Sequence, residues 1–306
     1  MGFKVIDPGM LTLMQDHGRF GWQHIGVTTG GPMDEYAFYW ANHLLNNIPE
    51  AAQLEVTFGN LKLETDQNCT IAITGADLGA RINNQNVAPW HSYQLKAGDT
   101  ISFGQPISGL RAYLAVAGGF VGENKLGSLA TVLRENIGGH RGDGSKISRD
   151  DYLVTLPKAH APSASTPEWA IPDYHSDTHL GVILGYQQDS FPRHELALFF
   201  MSDYEVTNEI DRMGYRLSGR PVRSTLKGIV SEGIAPGAIQ LPSDGQPIVL
   251  MKDRQTIGGY PKIGCLSTLE VGKLAQQKPG SKVSFYPMDV SEAEGRRVIF
   301  NRRLNL

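Results

Sequence analysis

LEVTFGNLKLETDQNCTIAITG, residues 54–75, decides the fold class. It breaks into three short runs, LEVTFG, LKLET and CTIAITG, rich in Val, Ile and Thr and separated by Gly, Asn and Asp. That is the pattern of strands joined by tight turns. The pattern continues outward through ARINN, SYQLKAG, DTISFG and LRAYLAVAG to about residue 117. Strands spaced this closely predict a sandwich or barrel. Lys96-Ala97-Gly98-Asp99 reads as a hairpin turn. Upstream, residues 3–6 and 10–14 read as short strands parted by Pro8-Gly9. One helix interrupts them at about 33–45. Pro32 stands at its start, Asp34 and Glu35 fall in its first turn, and Ala37, Trp40, Ala41, Leu44 and Leu45 recur on one face.

The chain has 306 residues, room for two domains. Residues 157–173, PKAHAPSASTPEWAIPD, concentrate Pro, Ala and Ser and read as a linker. The division is therefore an N-terminal strand-rich unit, 1–160, and a C-terminal unit, 174–306. In the second unit LGVILG, LALFFM, YEVTN, GYRLSG, PIVLM, GCLSTL and KVSFYP read as strands, with helices near 268–277 and 291–303. The fold class is mainly β with a few helices.

Composition removes several functions. A formal charge of -3 with no basic stripe argues against a nucleic-acid partner. Arg296, Arg297, Arg302 and Arg303 read as the polar face of a C-terminal helix, near the end that favours positive charge. No stretch approaches 18 apolar residues, so no membrane span is expected, and MGFKVIDPGM has no secretory core. Cys69 and Cys265 each sit in an apolar run and read as buried free thiols of a cytoplasmic protein. No G-x-x-x-x-G-K-[ST] loop and no G-x-S-x-G elbow occurs. His175 and His179 have helical spacing but no cysteine nearby to complete a zinc site, so no metal is expected.

Three polar, Gly-punctuated segments remain. QDHGRFGWQHIGVTTGG (15–31), running on to Asp34, reads as a binding loop. NEIDRMGYRL (208–217) places Asp211 and Arg212 at the mouth of a strand. GAIQLPSDGQPIVLMKDRQTIGGYPKIG (237–264) sends Lys252, Asp253, Arg254, Gln255 and Thr256 out from the end of a short apolar strand. Asp253 has the chemistry of a proton acceptor, and Lys252 and Arg254 that of a carboxylate or phosphate clamp. A salt-bridged anchor or a solvated loop explains the same residues without any chemistry.

Together with LEVTFGNL (54–61) and YLAVAGGF (113–120), these segments closely resemble, in order, the family of the 5-oxoprolinase C-type subunit, also called KipA or allophanate hydrolase subunit 2. That family is related to half of the carboxyltransferase region of biotin-dependent urea carboxylase. The resemblance implies a cyclophilin-like β-barrel architecture. It implies the C-type subunit of an ATP-dependent 5-oxoprolinase, opening 5-oxoproline to glutamate with a KipI-like B-type subunit, together with an A-type subunit, and inactive alone. ATP, with Mg, would be bound by the complex. Two alternatives come with it: a carboxyltransferase half-module for urea or a related amide, and a non-catalytic antagonist of a KipI-like kinase inhibitor. No Ala-Met-Lys-Met carrier sequence occurs, so no covalent biotin is expected on this chain. The family's site maps onto Gln15, Asp16, Arg19, Asp34, Asp211, Arg212, Asp253, Arg254 and Gln255, with Lys252 and Thr256 beside them. Asp16, Asp253 and Arg254 are the catalytic candidates, and the others would bind the small cyclic amide. Gly30, Ile210, Lys252 and Ile257 depart from the usual pattern and bear on substrate choice.

Overall fold

The computed structural model describes residues 1–158 and 161–306. It divides into two compact units, Met1–Phe20 with Thr29–His175, and Gly21–Thr28 with Ser176–Leu306. Among the described residues no helix is long and apolar enough to cross a membrane.

The first unit is two sheets facing one core. The six-stranded sheet runs, in spatial order, Tyr152–Val154, Gly2–Pro8, Leu61–Thr65, Thr100–Ser102, Arg81–Ile82 and Gln85–Asn86. The five-stranded sheet runs Leu11–Gln15, Gln53–Thr57, Ser108–Val116, Cys69–Asp77 and His91–Leu95. Phe3, Val5, Leu61, Leu63 and Ile101 from one sheet meet Leu54, Val56, Ile71, Ile73 and Leu114 from the other in a single buried cluster. Consecutive strands repeatedly change sheet. The predicted turn at residues 96–99 is present, with Lys96 N donating to the Asp99 carboxylate at 2.7 Å. It makes no hairpin, however: its flanking strands belong to different sheets. The crossing at Phe58-Gly59-Asn60 is the tightest. All three residues have positive φ, and a Cβ on Gly59 would stand 1.8 Å from the Gly104 carbonyl. Only glycine fits there.

Helix α1 (Glu35–Leu44) covers the outer face of the five-stranded sheet, burying Ala41, Leu44 and Leu45 against Ala72 and Ala115. It begins about two residues later than the sequence pattern suggests, because the Asp34 carboxylate accepts from Ala37 N at 3.2 Å and so caps it. The described part of the predicted linker folds onto this unit instead of spanning open solvent. Ser92 N donates to Ala164 O at 2.9 Å, and Tyr36 Oη donates to Ala170 O at 2.7 Å. Its small apolar residues Ala161 and Ala170 are buried, which a solvated spacer would not achieve. Ala159 and His160 of that segment lie outside the described residues.

The second unit holds the expected barrel. Seven strands close on one another in the order Thr178–Leu184, Lys262–Leu266, Ala238–Gln240, Ile248–Leu250, Gly214–Gly219, Asp203–Ile210 and Lys282–Pro287. Leu180, Val206, Tyr215, Leu217, Ile239, Val249 and Ile263 are buried in it. LALFFM is not a strand. It lies mostly within helix α2 (Arg193–Phe200), which turns Phe199 inward to stack on Phe285 with ring centroids 4.7 Å apart. A six-residue apolar run suits either period, and Pro192 at the N-cap with Glu195 in the first turn decides for helix. Helices α3 (Thr268–Ala275) and α4 (Val290–Leu304) stand close to where their periodicity puts them.

Candidate functional site

Gln15, Asp16 and Arg19 follow directly from the end of the Leu11–Gln15 strand, and the structure turns all three onto residues 125–131. Gln15 Nε2 donates to Thr131 O at 3.0 Å. The Asp16 carboxylate accepts from Gly18 N (3.0 Å), Ser128 Oγ (2.6 Å) and Leu129 N (2.6 Å). Arg19 has no solvent exposure. Its Nε donates to Lys125 O at 2.8 Å, and its Nη2 to Ser128 O at 3.3 Å and Ala130 O at 3.1 Å. A buried guanidinium is tolerable only with such partners. An acid already accepting three hydrogen bonds is arranged to hold a loop, so Asp16 suits anchoring better than proton abstraction.

Asp34 belongs to another constellation in the same unit. Besides capping α1, its Oδ2 accepts from Tyr174 Oη at 3.2 Å. Its backbone N–H donates to Tyr113 Oη at 2.8 Å, and that phenol donates in turn to Glu55 Oε2 at 2.8 Å. Glu55 Oε2 also accepts from Met33 N at 2.8 Å. Burial, reinforced by the Glu55 and Asp34 carboxylates, pushes the Tyr113 phenol well above its ordinary range. Burial and Asp34 do the same for Tyr174. Both phenols therefore stay protonated as donors. Glu55, Tyr113 and Tyr174 are additions to the residues found by sequence. Strand alternation puts Glu55 opposite the core-facing Leu54 and Val56, the usual place for a solvated acid. It is nevertheless fully buried, accepting from Met33 N ahead of α1 and from the Tyr113 phenol, partners invisible to alternation.

In the second unit two turns are zipped together. Asp253 N donates to Arg212 O at 2.7 Å and Met251 N to Met213 O at 2.9 Å. The side chains complete the join: Arg212 Nε meets Asp253 Oδ2 at 2.8 Å and Nη2 meets Oδ1 at 2.9 Å, a buried two-point pair. Asp211 instead spends its exposed carboxylate on its own turn, accepting from Met213 N at 2.7 Å and Gly214 N at 3.0 Å. The polar run does not project into solvent as a unit. Lys252, Asp253 and Arg254 are buried, while Gln255 and Thr256 are half-buried. Arg254 Nε donates to Ile234 O at 2.9 Å, and burial draws its guanidinium down to about 10, against the opposing pull of Cys265 and Asp253. Thr28 Oγ1 donates to Arg254 O at 3.2 Å, which fastens the Gly21–Thr28 stretch to this unit. Asp211 and Gln255 share the wall of a cavity of about 420 Å³ in the same unit. Both cysteines are free, Cys69 buried and Cys265 half-buried.

Comparison with known proteins agrees with this architecture. The family model for the carboxyltransferase domain, subdomain A and B, matches residues 25–287. The chain is 34% identical to the 5-oxoprolinase C-type subunit of Escherichia coli over 291 residues, covering 95% of this chain and 92% of that one. It is 31% identical to the same subunit of Haemophilus influenzae 5-oxoprolinase, covering 94% and 92%. The crystal structure of Kluyveromyces lactis urea carboxylase superposes with a TM-score of 0.93 at 27% identity, over 99% of this chain but only 29% of that much longer one.

Proposed function

The chain belongs to the carboxyltransferase-domain family, subdomain A and B, and on that premise we propose that it is the C-type subunit of an ATP-dependent 5-oxoprolinase. It works in the cytoplasm with a KipI-like B-type partner and an A-type partner, and is inactive alone. One observation carries the reading: its likeness to the bacterial C-type subunits runs across 92% of their length, whereas it matches less than a third of the urea carboxylase.

The chain's cations bear on where the nucleotide sits. Arg212 is bonded at two points to Asp253, Arg254 to the Ile234 carbonyl, and Arg19 to three carbonyls. A triphosphate would have to strip these buried bonds, so these arginines do not fit a phosphate cradle. We therefore assign ATP and its Mg to the partner subunits and route no step through them here. What this chain contributes is a fixed electrostatic frame for the amide. Asp253, aligned by Arg212, and Arg254 beside it face the reacting group, while the anchors Asp16 and Arg19 hold their loop.

The test is turnover of 5-oxoproline to glutamate by the three reconstituted components with ATP and Mg, leaving out one at a time. Glutamate should form only when this chain is present. Asp253→Asn should lower the rate at least about a hundredfold with the complex intact by size exclusion. Equal turnover without the chain defeats the reading. A second reading has the urea carboxylase superposition in its favour: a carboxyltransferase half that takes its carboxyl group from biotin carried on another chain. It predicts a bicarbonate requirement and inhibition by avidin. A chain that binds its KipI-like partner yet changes no rate would instead mark a regulator of that partner.

A further inference from the structure

Residues 212–231 contain five basic residues, Arg212, Arg216, Arg220, Arg223 and Lys227, and no acid. The barrel engages the first two: Arg212 with Asp253, and Arg216 with Asp244. Arg220, Arg223 and Lys227 are exposed, and none of them makes an ion pair among the described residues. The fold then adds to them. Arg223 N donates to Glu195 Oε2 at 3.3 Å and Thr225 N to Ser190 O at 2.8 Å, which holds this segment against the first turn of α2. Arg193 and His194, both exposed, stand in that turn. A helix start already carries partial positive charge, so Arg193 is placed against the dipole. The whole chain has a formal charge of -3, so this basic face is a local concentration and not a reflection of composition.

The nearby acids do not offset it. Glu195 is buried, with one oxygen on Arg223 N and the other 3.5 Å from His194 Nε2. Asp189, in the turn ahead of α2, is exposed. Asp203 and Glu205 flank Tyr204 on the neighbouring strand, and alternation turns them to the face opposite Tyr204. Tyr204 supplies an independent sign of a ligand. It is 1% exposed, and its hydroxyl has no hydrogen-bond partner. Burial pushes this phenol up to about 12, with Arg220 opposing and Glu195 assisting, so a protonated hydroxyl lies near both the basic segment and α2. A packed core avoids an idle buried donor, whereas a binding face keeps one. Leu226, 41% exposed, and Val230, 91% exposed, are interleaved with the cations. A free phosphate would use the cations and leave these aliphatic side chains in water. A peptide bearing both carboxylates and aliphatic side chains uses all of them.

We propose that the face formed by the first turn of α2 and residues 220–230 docks an acidic segment of a partner protein, with carboxylates on Arg220, Arg223 and Lys227 and aliphatic side chains on Leu226 and Val230. In the proposed assembly that segment belongs to a partner subunit, and this attribution alone rests on the 5-oxoprolinase reading. The surface itself is argued from its charge and exposure, and it uses none of the loops given to the substrate.

The test titrates the full chain with fluorescent peptides followed by anisotropy: a glutamate–leucine peptide, a glutamate–serine peptide of equal charge, and a lysine–leucine peptide, with inorganic tripolyphosphate as a competitor. The glutamate–leucine peptide should bind most tightly and weaken as salt is raised. Combining Arg220→Glu, Arg223→Glu and Lys227→Glu should weaken it about tenfold or more and leave the melting temperature unchanged, since these side chains are exposed and make no ion pair. If that variant melts lower, Arg223→Gln with Lys227→Gln carries the test, removing charge without inverting it. Tyr204→Phe, which removes only the idle hydroxyl, should weaken binding severalfold without lowering the melting temperature. Arg302→Glu with Arg303→Glu, at the distant end of α4, should change nothing. The proposal is overturned if the charge reversal leaves binding intact, if reversal on α4 weakens it equally, or if the lysine–leucine peptide binds as well. Tripolyphosphate binding as tightly as the glutamate–leucine peptide also overturns it, by making the face a phosphate site. Turnover in the reconstituted complex reads the 5-oxoprolinase role separately, so failure of one leaves the other standing.

Discussion

Arg19 in the first unit and Arg212 in the second are both buried guanidiniums close in sequence to a buried or turn-forming aspartate, yet they are satisfied differently. Arg19 gives its protons to the carbonyls of Lys125, Ser128 and Ala130, and Asp16 takes its bonds from the same stretch. Arg212 gives two of its protons to the side chain of Asp253. The first arrangement spends charge on backbone and fixes a loop. The second spends charge on charge and fixes a carboxylate. A sequence shows the two in the same letters, polar residues beside glycine. They differ in what each can lose. Removing a backbone anchor strands dipoles, whereas removing half of a buried ion pair strands a full charge.

The largest expected effect breaks that contrast directly. Arg212→Met should destabilise the chain by about 3–5 kcal/mol, because Asp253 stays buried and loses its two-point guanidinium partner. Arg19→Met, which leaves three carbonyls short of a donor, should cost less, on the order of 1–3 kcal/mol. Urea denaturation measures both. Adding Asp253→Leu to Arg212→Met should recover much of the loss, giving a coupling energy of roughly 1.5 kcal/mol or more. Adding Asp16→Leu to Arg19→Met should recover little. Equal coupling in the two cycles would erase the distinction.

A pH titration sharpens the same comparison, since each unit carries one thiol. Burial raises Cys69, in the first unit, from about 9 to about 11, and Cys265, in the second, by the same amount. The folded chain therefore keeps these protons through a range in which the unfolded chain loses them. The stability they contribute is complete below pH 9 and falls between pH 9 and 11. Each thiol accounts for roughly 2–3 kcal/mol by the top of that window. Cys69→Ala should flatten the alkaline fall for the first unit and Cys265→Ala for the second, read from urea midpoints at pH 8 and pH 10.5 under reductant. A fall of unchanged slope in the double variant would assign it to other groups.

Where the sequence failed, a third element had intervened. The strands of residues 54–117 are written in local letters, alternation and turn residues, and so is the apolar face of α1. The 96–99 turn is equally legible, but whether it folds a hairpin or hands the chain to a second sheet depends on which neighbours its strands find. LALFFM went astray because six apolar residues carry no period of their own. At the site, Asp253 and Arg212 are legible as polar residues in glycine-rich turns, but nothing local pairs residues 41 positions apart. Glu55 is the clearest case. It stands within LEVTFGNL, one of the motifs that carry the family resemblance, yet its buried carboxylate is met by Met33 N from the segment ahead of α1 and by Tyr113 from a strand far along the chain. Long-range covering and pairing are what a single sequence leaves implicit.

The smallest effect concerns Asp34, which combines both modes of the opening comparison. Its carboxylate caps α1 through Ala37 N, a backbone duty like that of Asp16, and also accepts from a side chain, the Tyr174 phenol. Three variants separate the duties. Asp34→Asn keeps a good cap and removes the charge. Asp34→Ala removes both and should cost about 1 kcal/mol through the cap alone. Tyr174→Phe removes only the phenol and should cost on the order of 1 kcal/mol. If the cap dominates, Asp34→Asn will be nearly as stable as the native chain while Asp34→Ala is not. If the charge is what matters, as for a residue kept to face a ligand, Asp34→Asn will keep the stability and lose turnover in the reconstituted complex. Tyr174→Phe will then lose part of the same turnover, since its hydroxyl is the donor that orients the carboxylate. Stability and turnover falling together in Asp34→Asn would mean that the charge holds the fold, and Asp34 would join Asp16 among the anchors.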